Sequence, residues 1–220
     1  MTETELLIWV RGPALQFATV IFLLGVLVRI LEILVLGRKP NLAEARGSAM
    51  AGGLRTIFSR MVPDRGTLRR STFNVVAGYV FHIGIFVVLF LYTPHILVFR
   101  DALGVSWPAL PTPVVDATTI VTMIALVAVL LHRVAHPVMR FLSNFQDYLV
   151  WLVTFLPLVT GYMAFHRVDI APASTLMVAH ILSVELLMVI FPFTKLMHAF
   201  TFFIARYYNG AISGYRGVKS

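Results

Sequence analysis

FNVVAGYVFHIGIFVVLFLYTPHILVF, residues Phe73–Phe99, runs for 27 residues without an Asp, Glu, Lys or Arg. A hydrocarbon layer about 30 Å thick takes roughly 20 apolar residues of helix to cross, so this run predicts a membrane-spanning helix. Four further apolar stretches read the same way, at about Pro13–Leu36, Val114–Ala135, Tyr148–Phe165 and Leu176–Ala205. Pro13 is compatible with the first turn of its helix. The whole chain is 59% hydrophobic and only 13% charged, a balance that excludes an ordinary soluble domain. The expected fold is an all-α bundle of five transmembrane helices, one domain over residues 1–220. With no cysteine, disulfides, thiolate metal sites and iron–sulfur clusters held by this chain are excluded. Glu3 and Glu5 precede the first apolar residues, unlike the basic start of a cleaved signal peptide, so the first span is expected to be retained.

The formal charge of +8 invites a nucleic-acid reading, but the placement of the cations argues for membrane topology. Arg38, Lys39, Arg46, Arg55, Arg60, Arg65, Arg69 and Arg70 fill the connection between the first two spans. Arg133 and Arg140 follow the third span, and Arg206, Arg216 and Lys219 follow the fifth. All of these fall on one side, against Arg11, Arg100 and Arg167 on the other. Positive-inside reasoning then sets the N-terminus outside and the C-terminus in the cytoplasm. The basic connection and tail read either as topology-setting charge that meets anionic lipid or as docking surfaces for a soluble partner.

The histidines carry the chemistry. His180 and His198 are 18 residues apart, which is five whole turns of a continuous helix, or about 27 Å of rise. His82 and His95 lie on the second apolar run. In the predicted topology the second and fifth helices run antiparallel, so His82 matches His198 near the cytoplasmic face and His95 matches His180 near the outer face. A histidine inside a membrane span is costly without a partner. Four at paired depths can hold two stacked haems, since imidazole is an axial ligand of haem iron. The plain alternative is hydrogen-bonded glue between helices. His132 and His136, beside Arg133, read as interfacial and solvated. His166 reads as an interfacial side chain able to hydrogen-bond a quinone or a haem propionate.

Phe81-His82-Ile83-Gly84-Ile85, the stretch Thr93-Pro94-His95, and His180 followed by Phe191-Pro192-Phe193-Thr194-Lys195-Leu196-Met197-His198 resemble the ligand motifs of the gamma-subunit family of respiratory nitrate reductases, the dihaem cytochrome b membrane anchors. That resemblance implies a b-type cytochrome subunit of a quinol-oxidising complex in a bacterial cytoplasmic (inner) membrane. It implies two haems b, with His82 and His198 ligating the inner one and His180 one side of the outer one. It further implies quinone as substrate, and an iron–sulfur electron-transfer subunit and a catalytic subunit as cytoplasmic partners that carry the terminal chemistry. In the family the partner of the residue matching His180 lies ten positions after the first histidine; here that position is Tyr92. His95, one turn further on, is the expected replacement, and a single-haem form is the alternative.

Lys195 precedes His198 by three residues, so a helix would set its ammonium beside a propionate, unless it reaches instead for lipid headgroups. Arg29 needs a counter-charge inside its span, either a propionate or Glu32. Gly78 and Gly84 flank His82 and would let a macrocycle approach. Glu185 is an intramembrane acid that either relays protons or pairs locally. Outside the electron-transfer reading stand a proton channel or transporter built on His and Glu185, and an anchor without cofactor.

Overall fold

The computed structural model describes residues 2–36 and 42–218. Arg38, Lys39 and Lys219, which enter the topology argument, lie outside them. All regular elements among the described residues are helical. Five stretches are long and apolar enough to cross a membrane: Glu3–Val35, Thr72–Leu91, Thr112–Ala135, Phe145–His166 and Ala173–Phe193. Phe17, Leu23, Ile83, Phe86 and Ile124, all within these stretches, are more than half exposed, the reverse of a water-soluble surface. The chain is therefore an all-helical, multi-pass membrane protein in contact with the bilayer.

The first span begins with α1 (Glu3–Trp9), capped by reciprocal bonds between Thr2 and Glu5. It continues through a π-helical turn (Val10–Ala14) into α2 (Leu15–Val35). It starts earlier than expected, and Pro13 sits inside the π turn rather than in a first turn. Two short helices follow, α3 (Ala49–Ser59) and α4 (Arg65–Arg70). The second span is not one helix to Phe99. α5 (Thr72–Leu91) stops at Tyr92, whose backbone is extended (φ −94°, ψ 127°), and α6 (Thr93–Leu103) begins afresh. Pro94 explains the break: it has no N–H, and its ring excludes the carbonyl four residues back. α7 (Thr112–Ala135) and α9 (Phe145–His166) match expectation closely, with α8 (Pro137–Leu142) between them. The fifth span is also interrupted. α10 (Ala173–Ile190) gives way to a 3₁₀ turn (Phe191–Phe193), extended Thr194, a second 3₁₀ turn (Lys195–Met197) and then α11 (His198–Tyr215). Pro192 again lies at the break, so five regular turns do not relate His180 to His198.

The chain forms two compact units, Met1–Gln16 with Ser71–Leu187, and Phe17–Arg70 with Met188–Ser220. In the first, α5 packs on α7 where Gly84 meets the fully buried Thr122; a Cβ at Gly84 would collide with that hydroxyl. Glycine at this contact serves helix packing. α9 joins α7 through the Trp151 indole N–H, which donates to the Leu126 carbonyl (2.8 Å). In the second unit α2 meets the 3₁₀ turn: Phe22 packs edge-on to Phe191 (5.2 Å), and Gly25 clears the ring of Pro192. There too α3 lies along α11 with Gly52 against Gly210, so close that a Cβ on either would strike the other's carbonyl.

Candidate functional site

Interrupting α5 leaves its last carbonyls without helical donors, and the following segment supplies them. The Trp107 indole N–H donates to the Phe90 carbonyl, and the Leu110 N–H donates to that of Leu91 (2.9 Å). The Val88 carbonyl bonds Nδ1 of His95 at 2.8 Å. Thr93-Pro94-His95 thus both ends the helix and turns the imidazole back onto it.

His180 is set by α9. A Cβ at Gly161 would come within 2.9 Å of the His180 ring, so only glycine admits the imidazole this close to the helix. The ring bonds the Pro157 carbonyl. The Thr160 hydroxyl lies 3.5 Å from Nδ1, and 3.0 Å from the hydroxyl of buried Ser183. Sequence reasoning missed Pro157, Thr160 and Gly161, because their role is visible only once α9 lies beside α10.

These two histidines come together. Their rings are nearly parallel (22°) with centres 6.2 Å apart, too far for face-to-face contact. An imidazole nitrogen sits about 2.0–2.1 Å from a bound transition-metal ion and about 1 Å from its own ring centre, so two trans imidazoles hold their centres roughly 6 Å apart. A carbonyl can only accept, so Nδ1 carries the hydrogen in His95, which leaves that ring's Nε2 lone pair to a metal. Among the described residues no group of three or more His, Cys, Asp or Glu could hold a bare metal ion. Two imidazoles suffice where a porphyrin supplies the other four nitrogens, and on that ground the pair fits haem.

The remaining expected ligands share the same tautomer. Nδ1 of His82 bonds the Gly78 carbonyl (2.6 Å), and Nδ1 of His198 bonds that of Lys195 (2.7 Å). His82 belongs to the first unit and His198 to the second. Lys195 lies in the 3₁₀ turn before His198 and is exposed. Arg29 pairs with Glu32 (2.9 Å), the second of its two expected partners, and its Nε–H donates to the Pro192 carbonyl. A Cβ at Gly78 would meet nothing, leaving the approach beside His82 open. Tyr92 stands edge-on to His95 at 5.3 Å. Burial first, then the Asp116 carboxylate, push its phenol above the ordinary range. His166 bonds Asp116 through Nε2 (2.7 Å), which directs that nitrogen to a carboxylate. His132 packs against Phe73 (4.5 Å) and His136 (5.3 Å). Glu185 is buried, and its Oε1 has no partner among the described residues.

Burial lowers the imidazole of His95 below the usual range, partly offset by its bond to Val88. The folded ring is therefore neutral where an unfolded one, with a pKa of about 6.5, begins to protonate. Across that window the unfolded chain binds the extra proton, so stability rises with pH and is lost as pH falls through it.

No family model matches the chain, and no solved structure matches it. A protein of Nitratidesulfovibrio vulgaris (strain Hildenborough) is 32% identical over 208 residues, spanning 90% of this chain and 89% of its own length.

Proposed function

We propose that this chain, which belongs to one family with the Nitratidesulfovibrio vulgaris protein, is a b-type cytochrome subunit that carries electrons through a membrane. One observation supports the reading above all: the near-parallel rings of His95 and His180, 6.2 Å apart, each ring tied to a backbone carbonyl, His95 through Nδ1 to Val88 and His180 to Pro157. A haem bound there supplies one-electron transfer. His95 and His180 would hold it from its two sides. Pro157, Thr160 and Gly161 orient one ring, and the Val88 carbonyl orients the other. The sequence motifs add His82 and His198 as ligands of a second haem, with Lys195 as a propionate partner. They also support an N-terminus outside and a C-terminus in the cytoplasm of a bacterial inner membrane. In that setting membrane quinol is the electron donor, and a cytoplasmic iron–sulfur subunit with its catalytic partner is the acceptor. The quinol pocket falls among His95, Tyr92, Arg100 and His166. There His166 donates through Nε2 to Asp116, which leaves its Nδ1 to accept a hydrogen bond from a quinol hydroxyl.

The test is the purified protein's pyridine-haemochrome and iron content, together with its reduced-minus-oxidised spectrum. Sharp b-type bands that appear on adding a quinol are expected. Folded protein that carries no haem would overturn the reading. Buried Glu185, with its unpartnered oxygen, favours a second reading, a proton path through α10. Proton flux into proteoliposomes that is abolished by Glu185→Gln, in protein lacking haem, would favour it.

A further inference from the structure

α3 has two unlike faces. Gly52, Gly53 and Thr56 meet α11: Gly52 lies against the backbone of Gly210 and Gly214, Gly53 against the Tyr207 ring, and the Thr56 side chain against Gly210. At about 100° per residue, Met50, Leu54 and Phe58 project from the opposite side, and they are 65%, 48% and 68% exposed. α3 is not one of the stretches able to cross a membrane, yet it carries an apolar stripe that nothing in its own unit covers. Arg55 and Arg60 are exposed at its flank and end. Between Ala45 and Pro63 the chain has Arg46, Arg55 and Arg60 and no acidic residue. The helix that carries α3 adds Phe203, Tyr207 and Tyr208 as exposed aromatics, the side-chain type that collects at membrane–water boundaries. α3 begins 14 positions after Val35 and ends 13 before Thr72, the bounds of two spans, so chain length keeps it within reach of a bilayer surface.

A helix with an apolar stripe, arginine edges and no acids lies in the plane of an anionic membrane surface. We propose that α3 is such an interfacial helix: Met50, Leu54 and Phe58 sit at the boundary of acyl chains and headgroups, and Arg55 and Arg60 bind anionic headgroups. The α3–α11 pair then forms a layer on the membrane surface, with the glycine contact holding the interfacial helix to the chain's last helix.

The chain has no cysteine, so single-cysteine variants can be spin-labelled without background. Leu54→Cys, Phe58→Cys and Ser59→Cys alter exposed positions; Ser59 projects about 100° from Phe58, off the apolar stripe, and lies two turns beyond Gly52. Each is labelled in the full-length protein, reconstituted in nanodiscs containing phosphatidylglycerol. The ratio of oxygen to nickel-chelate accessibility is expected to be several-fold higher at residues 54 and 58 than at residue 59. In nanodiscs of pure phosphatidylcholine at high salt, that difference should shrink. High nickel accessibility at residues 54 and 58 in both lipids would mean that the face meets water, and the proposal fails. Protection from both reagents would mean that protein covers the face, which overturns the proposal in favour of a soluble partner. Depth that does not depend on lipid charge would overturn the headgroup role of the arginines.

Discussion

His180→Ala and His95→Ala, made separately, are each expected to remove one haem, so that the pyridine-haemochrome value falls from two per chain to one. Under the proposed ligation each ring would hold one side of one haem, and alanine can neither bridge the gap nor coordinate. Tyr92→Phe should keep the full complement, because the phenol stands edge-on to His95 while the His95 ring is the one that lies parallel to His180. His82→Ala or His198→Ala should remove the other haem and leave the first spectrum in place. Gel filtration and far-ultraviolet circular dichroism on the same samples separate haem loss from misfolding. Folded His95→Ala protein with two haems would exclude His95 as a ligand.

The second large effect concerns the helix pair. Gly210→Val is expected to pry α11 from α3, because the added atoms would strike the Gly52 carbonyl and the Thr56 side chain, and a backbone cannot turn aside as a flexible side chain can. Overfilling a close-packed contact typically costs about 1–3 kcal/mol. Amides of α3 should accordingly exchange with deuterium roughly 10- to 100-fold faster. Haem content at His95 and His180, which belong to the other unit, should not change. Unaltered exchange in α3 would show that the glycine contact is not what holds it.

The third and fourth spans were legible because their apolar runs begin and end with polar or proline punctuation, and the helices follow those limits. The second and fifth were misread for a single reason. Hydropathy records how strongly side chains avoid water, whereas Pro94 and Pro192 act on the backbone ladder, so each apolar run hides an interruption. Reasoning from an unbroken helix related His180 to His198 by whole turns, and the break at Thr194 removes that relation. The approach of His95 to His180 could be anticipated from the sequence, since an imidazole lies one turn beyond Tyr92 on the same apolar run. Gly161 could not: a glycine in a spanning helix looks alike whether it admits a neighbouring helix, as Gly84 does, or a neighbouring imidazole. The pairing of His166 with Asp116 across 50 residues likewise left no local mark.

The interruption before α6 sets regularity against grip. His95 holds an acceptor on Val88 that the amide of residue 92 would claim in an uninterrupted rod, so ring and amide compete for one oxygen. A chain that gained a single further turn by losing Pro94 would look more orderly and would set its imidazole adrift. The irregular joint is the hand that steadies the ligand.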